Sequence, residues 1–286
     1  MPIRLYCIGW VLMASLEASP LEEWRREIEL RTGGRIAVVP VHTDPERNEM
    51  RLPEDLDAAR IARRYLADDS FRRELTLAQA LTINHRGPEG EIHLILLNMA
   101  LADQWKGAEE GLLAHEVGHI WLDAMGLRAP AFQPGPRACI GIHAGDIPQH
   151  VLIRAEAERR GISTRPHLLG NLRMALAALE SGKATRDPPP CARLALLSQI
   201  LDARVGVTAE QWDERSRFLQ LFESAYPEVA SQAPAIEERL RLADLTDREQ
   251  LEAVTEFVRQ QLERLFEAPE RIRTPAPPAA TPPPIP

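Results

Sequence analysis

The sequence predicts an α+β fold: a small sheet drawn from the first hundred residues, then a helical remainder. Segments with strand character, Val, Ile and Leu runs bounded by Gly, Pro or polar turns, occur only before residue 100. Beyond it apolar residues recur at helical spacing, in a chain rich in Ala, Leu, Arg and Glu and poor in aromatics. Between the two regions lies one helix, Ala108 to Met125, with two histidines four residues apart.

Residues 1–18 admit two readings. The apolar run 3–16 is too short to cross a bilayer as a helix. With Arg4 before it and Ala18 after it, it reads as a signal peptide or as a first buried strand. The first reading makes the protein secreted or periplasmic, the second cytoplasmic. Cys139 and Cys191, both beside prolines or in loop-like sequence, are then a possible bridge in an exported chain. None of the three cysteines has the spacing of a structural zinc site.

Ser19-Pro20-Leu21-Glu22 starts a helix, with a capping hydroxyl and a proline in the first turn, and Gly33-Gly34 stops it. Arg35 to Val41 reads as a strand in which Pro40 favours an edge or an end. Leu56 to Leu66 has helical spacing. Glu74 to Ile83 alternates like a strand, and Glu91 to Asn98, after the turn 84–90, is the clearest strand in the chain. Gly126 closes the helix that begins at Ala108. Residues 128–147, rich in Pro and Gly, read as a long loop. The helices expected after it are Gln149–Arg160, Pro166–Glu180, Ala192–Ala203, Glu210–Ser224, Ile236–Ala243 and Arg248–Glu267. Capping boxes are read at Thr208 and Thr246. The domain boundaries follow: a mixed unit over 19–165, a helical region over 166–268 and a Pro-rich disordered tail over 269–286.

The net charge of −8 supplies no basic face for nucleic acid. No segment predicts stable membrane insertion, and the sequence leaves the oligomeric state open. There is no Gly-rich phosphate loop and no Gly-x-Ser-x-Gly elbow.

The chemistry concentrates at His115-Glu116-Val117-Gly118-His119. On a helix residues four apart stack, so His115 and His119 can offer two imidazoles to one metal ion. Glu116, one step round, stands as a general base beside the open coordination position. Two histidines do not complete a catalytic site, which takes three protein ligands.

This stretch resembles the active-site helix of the zincin metallopeptidases, and the order of strand then helix is similar to theirs. The resemblance covers about residues 91–160. It implies one Zn2+ per chain on His115 and His119, Glu116 as the catalytic base, and a zincin-like catalytic domain over 19–165. It implies a peptide or protein substrate, with the strand Glu91–Asn98 lining the cleft and pairing with an extended peptide. Leu122 and Met125 stand where the metzincin subgroup has Gly and His, which excludes that subgroup. The gluzincin subgroup takes its third ligand from a later helix, and Glu156 is the first choice here. Glu158, His150, His143 and Asp146 are the alternatives. Arg160 occupies the place of that subgroup's second acid, so the carboxylate that would orient a histidine comes from elsewhere, Asp146 or Asp123. His143, His150 and His167 are candidates for steadying an oxyanion. The expected activity is zinc-dependent peptide-bond hydrolysis by a Glu-activated water. The rival is an inactive scaffold of the same type that serves as a helical interaction module.

Overall fold

The structure, a computed structural model, describes residues 18–44, 49–54, 56–127, 137–185 and 187–267. The readings of the N-terminal run and of the Pro-rich tail lie outside them. Helix α1 (Pro20–Thr32) begins where expected, with the Glu22 amide donating to Ser19 Oγ at 3.3 Å, and ends at Gly33, whose φ of 71° is left-handed. Strands β1 (Arg35–Asp44) and β2 (Glu49–Arg51) follow, then helices α2 (Asp57–Leu66) and α3 (Asp69–Leu77). Strands β3 (Ala80–Gly87) and β4 (Gly90–Asn98) form a hairpin. A 3-10 turn (Met99–Leu101) and the short α4 (Ala102–Trp105) lead into α5 (Glu109–Ala124).

The four strands lie in the order β2-β1-β4-β3. β1 runs parallel to β4 from Arg35 opposite Ile92 to Val41 opposite Asn98, and β3 runs antiparallel to β4. Pro40 is tolerated because β2 pairs only with residues 42–44, so β1 has a single partner at that point. β4 is covered on both faces, which explains its nearly unbroken apolar run. Ile95 faces Trp24 and Ile28 of α1 and Val117 and Ile120 of α5. Ile92, Leu94 and Leu96 face Ala59 and Ile61 of α2 and Leu75 of α3. The expected strand Glu74–Ile83 is instead the end of one helix and the start of one strand. Leu75 belongs to the buried side of α3, and only from Ala80 does the chain pair with β4.

Of the expected loop over 128–147, residues 128–136 lie outside the described residues, and from Ala138 the chain is helical instead: α6 runs from Ala138 to Arg159 through an internal proline. Pro148 removes one backbone hydrogen bond, at a cost of about 3 kcal/mol in a helix interior. It is buried together with Ala144, Gly145 and Ile147, and α6 packs against α5, α8 (Pro190–Val205) and α12 (Arg248–Glu267). Burial of that whole face offsets the proline. A disulfide between Cys139 and Cys191 ties the first turn of α6 to the first turn of α8.

The other helices are α7 (Arg165–Glu180), α9 (Arg215–Ala225), α10 (Pro227–Ala230) and α11 (Ala233–Leu242). One apolar core joins Leu122 of α5 and Ile153 of α6 to Leu172, Leu197, Phe222 and Val258 of the later helices. α9 starts later than the sequence pattern suggests. The Gln211 side chain turns back to accept from the Thr208 amide at 2.9 Å, closing a turn rather than opening a helix. At α12 the cap is Asp247, which accepts from the Gln250 amide at 2.9 Å, while Thr246 bonds to Asp244. Among the described residues no helix is long and apolar enough to cross a membrane.

Candidate metal centre

The site is set by how closely α5 and α6 approach. A Cβ placed on Gly118 would lie 2.4 Å from Ile153 Cγ2, so the absence of a side chain there lets α6 lie against α5. Two turns away a Cβ on Gly111 would meet the Ser163 carbonyl oxygen at 3.2 Å and His167 Cβ at 3.3 Å, which brings the start of α7 near as well. Gly111, His115 and Gly118 share one stripe of α5. The histidine on that stripe therefore faces both neighbouring helices.

Among the described residues His115, His119 and His150 are the one group whose ligating atoms all lie within 4.8 Å of one another. Nε2 of His115 and Nε2 of His119 are 3.3 Å apart. Nitrogen ligands bound to one tetrahedral metal ion at 2.0–2.1 Å stand about 3.3 Å apart, so the two imidazoles are close enough to share an ion. The His150 ring centre is 4.6 Å from that of His115 and 5.5 Å from that of His119. Burial, first, holds His115 and His150 well below the usual histidine range; the other imidazoles and the Arg154 guanidinium push the same way. Neutral imidazoles carry the lone pairs a metal needs. Arg154 is itself held by Asp202 of α8 at 2.7 Å.

Glu156 is not placed with the two motif histidines, so the expectation for the third ligand is corrected. Its carboxylate accepts from Arg159 Nε at 2.7 Å and from Arg160 Nε at 2.6 Å, and these bonds hold it below the usual carboxylate range. The reason lies in the contact at Gly118. His150 lies three residues before Ile153, on the turn facing His115, whereas Glu156 lies three after it, towards α1. There Arg160 bridges to Glu27 at 2.7 Å and lies over the Trp24 ring. Glu158 is exposed, with Arg165 at 3.9 Å.

Glu116 is buried, and its Oε2 accepts from Thr82 Oγ1 of β3 at 2.7 Å. Burial pushes this carboxyl up to about 7, and the Thr82 bond opposes that rise. Of the remaining histidines, His143 is bonded through Nδ1 to Ser198 Oγ at 3.2 Å. His167 lies 5.8 Å from His115 by ring centres, with its Nε2 2.7 Å from Gln79 Oε1. Burial lowers both to about 4. His93 and His85 are buried strand residues on the other elements, against Asn84 and Tyr65. Asp123 accepts from Asn84 Nδ2 at 2.7 Å.

The sequence reading missed Thr82 and Gly118. Thr82 belongs to a strand whose start was placed too early. Gly118 sits inside the motif, where its lack of a side chain has meaning only once Ile153 is known to face it. Comparison with known proteins adds no name to this geometry: no family, no curated protein and no solved structure matches the chain.

Proposed function

We propose that the protein is a zinc-dependent metallopeptidase of zincin type, with His115, His119 and His150 as the metal ligands and Glu116 as the general base. The observation that carries this reading is the convergence of three imidazoles from two helices on one point, with a buried carboxylate adjacent in sequence to the first. Three protein ligands and an open position are the donor set of a catalytic rather than a structural zinc site. Zinc bound there supplies Lewis acidity and brings water within reach of deprotonation near neutral pH.

The chain's own groups do the rest. Glu116 accepts the proton of the attacking water and returns it to the leaving amine. Thr82 holds Oε2, so the other carboxylate oxygen is the one assigned to take the proton. The substrate strand is reassigned. β4 is flanked on both sides by β1 and β3 and has no edge left for a peptide, whereas β3 ends the sheet and carries Thr82 to Glu116. An extended peptide therefore adds to β3.

The test is Glu116→Gln. It should retain about one zinc per chain and lose hydrolysis of a peptide library that the parent protein cleaves. Stoichiometric zinc without hydrolysis by the parent would instead support an inactive scaffold.

A further inference from the structure

One face of α6 carries His143, Asp146, His150 and Arg154 at successive turns. Three of these have protein partners. His143 is bonded to Ser198, His150 meets the other two histidines, and Arg154 is paired with Asp202. Asp146 makes no hydrogen bond or ion pair with any described residue. It is enclosed by protein on most sides, yet part of its surface stays open. Burial, then the negative charges of Glu116 and Asp202, push its carboxyl up to about 7.

An acid in such a place stays largely protonated until something answers its charge, and a cation set against it favours the ionised form. The one nearby cation named above, Arg154, is already engaged by Asp202. A second metal ion is a poor occupant, because among the described residues the three histidines are the only group with three converging donors. A cation that brings its own hydrogen-bond donors needs no such cage. An ammonium group has three, and a single carboxylate can hold it.

We propose that Asp146 binds an ammonium group of the substrate, one helical turn from His150, and so selects peptides that carry a positive charge beside the scissile bond. This rests on the hydrolase reading above. The ammonium has two possible sources, a free α-amine or a lysine side chain. The first would make the enzyme an aminopeptidase and the second an endopeptidase with basic preference.

The experiment compares kcat/KM for short peptides with free and with acetylated N-termini, and with lysine or norleucine flanking the cleaved bond. The parent protein should prefer the charged member of one pair by about 10- to 100-fold, the range of a charge-assisted hydrogen bond. In Asp146→Asn that ratio should fall towards one while zinc content is kept; Asp146→Glu should restore part of it. Calorimetric binding of the same peptides to zinc-loaded Glu116→Gln should show the same preference without any turnover. Equal treatment of charged and neutral members by both the parent and Glu116→Gln overturns the inference and leaves the hydrolase reading standing. So does an Asp146→Asn enzyme that loses activity on every peptide alike, since Asp146 would then serve the chemistry rather than selection. Absence of hydrolysis by the parent fails the hydrolase reading, and the binding comparison still decides whether Asp146 recognises an ammonium group.

Discussion

At the scale of single residues the competing third ligands separate cleanly. His150→Ala removes one of three imidazoles and should lower zinc affinity by more than about 100-fold, the upper end of what loss of an outer-shell partner does. Glu156→Ala should leave zinc content unchanged. Glu156 and Arg160 are both largely buried, while Arg160 keeps Glu27 as a partner, so the stability cost should be about 1–3 kcal/mol. Metal analysis after dialysis checks both. Thr82→Val tests the base. The Thr82 hydroxyl stabilises the ionised form of Glu116, so removing it raises the carboxyl further. The acid limb of the pH–kcat/KM profile should therefore move to higher pH, by up to about one unit, with zinc retained. A limb that stays in place, or moves down, contradicts the assignment of Glu116 as base. His115, Glu116 and His119 were legible because their relation is local, set by the 3.6-residue turn. His150 was not, since its position depends on how two helices 31 residues apart by histidine number (His150 minus His119) pack together.

At the scale of elements the approach of α5 and α6 is the controlling contact. Gly118→Ala puts a methyl group into Ile153. Overpacking of this kind costs about 1–3 kcal/mol, and here the shift would also draw His150 away from His115 and His119. Zinc affinity should fall in Gly118→Ala and recover in part when Ile153→Ala is added, as read by competition with a chromophoric chelator. Unchanged affinity in the single variant would mean that α6 is not held by this contact. The helices were mostly legible from spacing and caps, and α1 and α12 fall within a residue of their expected bounds. α6 was the exception. Pro148 and the glycines before it read as a loop, because the packing that compensates them comes from α8 and α12, far along the chain.

At the scale of the whole molecule the Cys139–Cys191 bridge encloses a segment of the chain that includes His150, with 52 residues of sequence separation. Loop-closure entropy for that length gives about 4 kcal/mol of stabilisation. Replacing both cysteines by serine should lower the thermal midpoint measurably, and reductant should do the same to the parent but not to the double variant. The mixed architecture was legible in outline, sheet first and helices after. The pairing of β4 with β1 and β3 was not, because strand order is a property of the assembled sheet. The proposed activity requires that three histidines from α5 and α6 hold a single zinc. Zinc-edge X-ray absorption of the loaded protein tests it most directly. Three imidazole nitrogens at about 2.0–2.1 Å, with one lighter oxygen donor, is the predicted spectrum; two imidazoles with a protein carboxylate, or no specifically bound zinc, would contradict it.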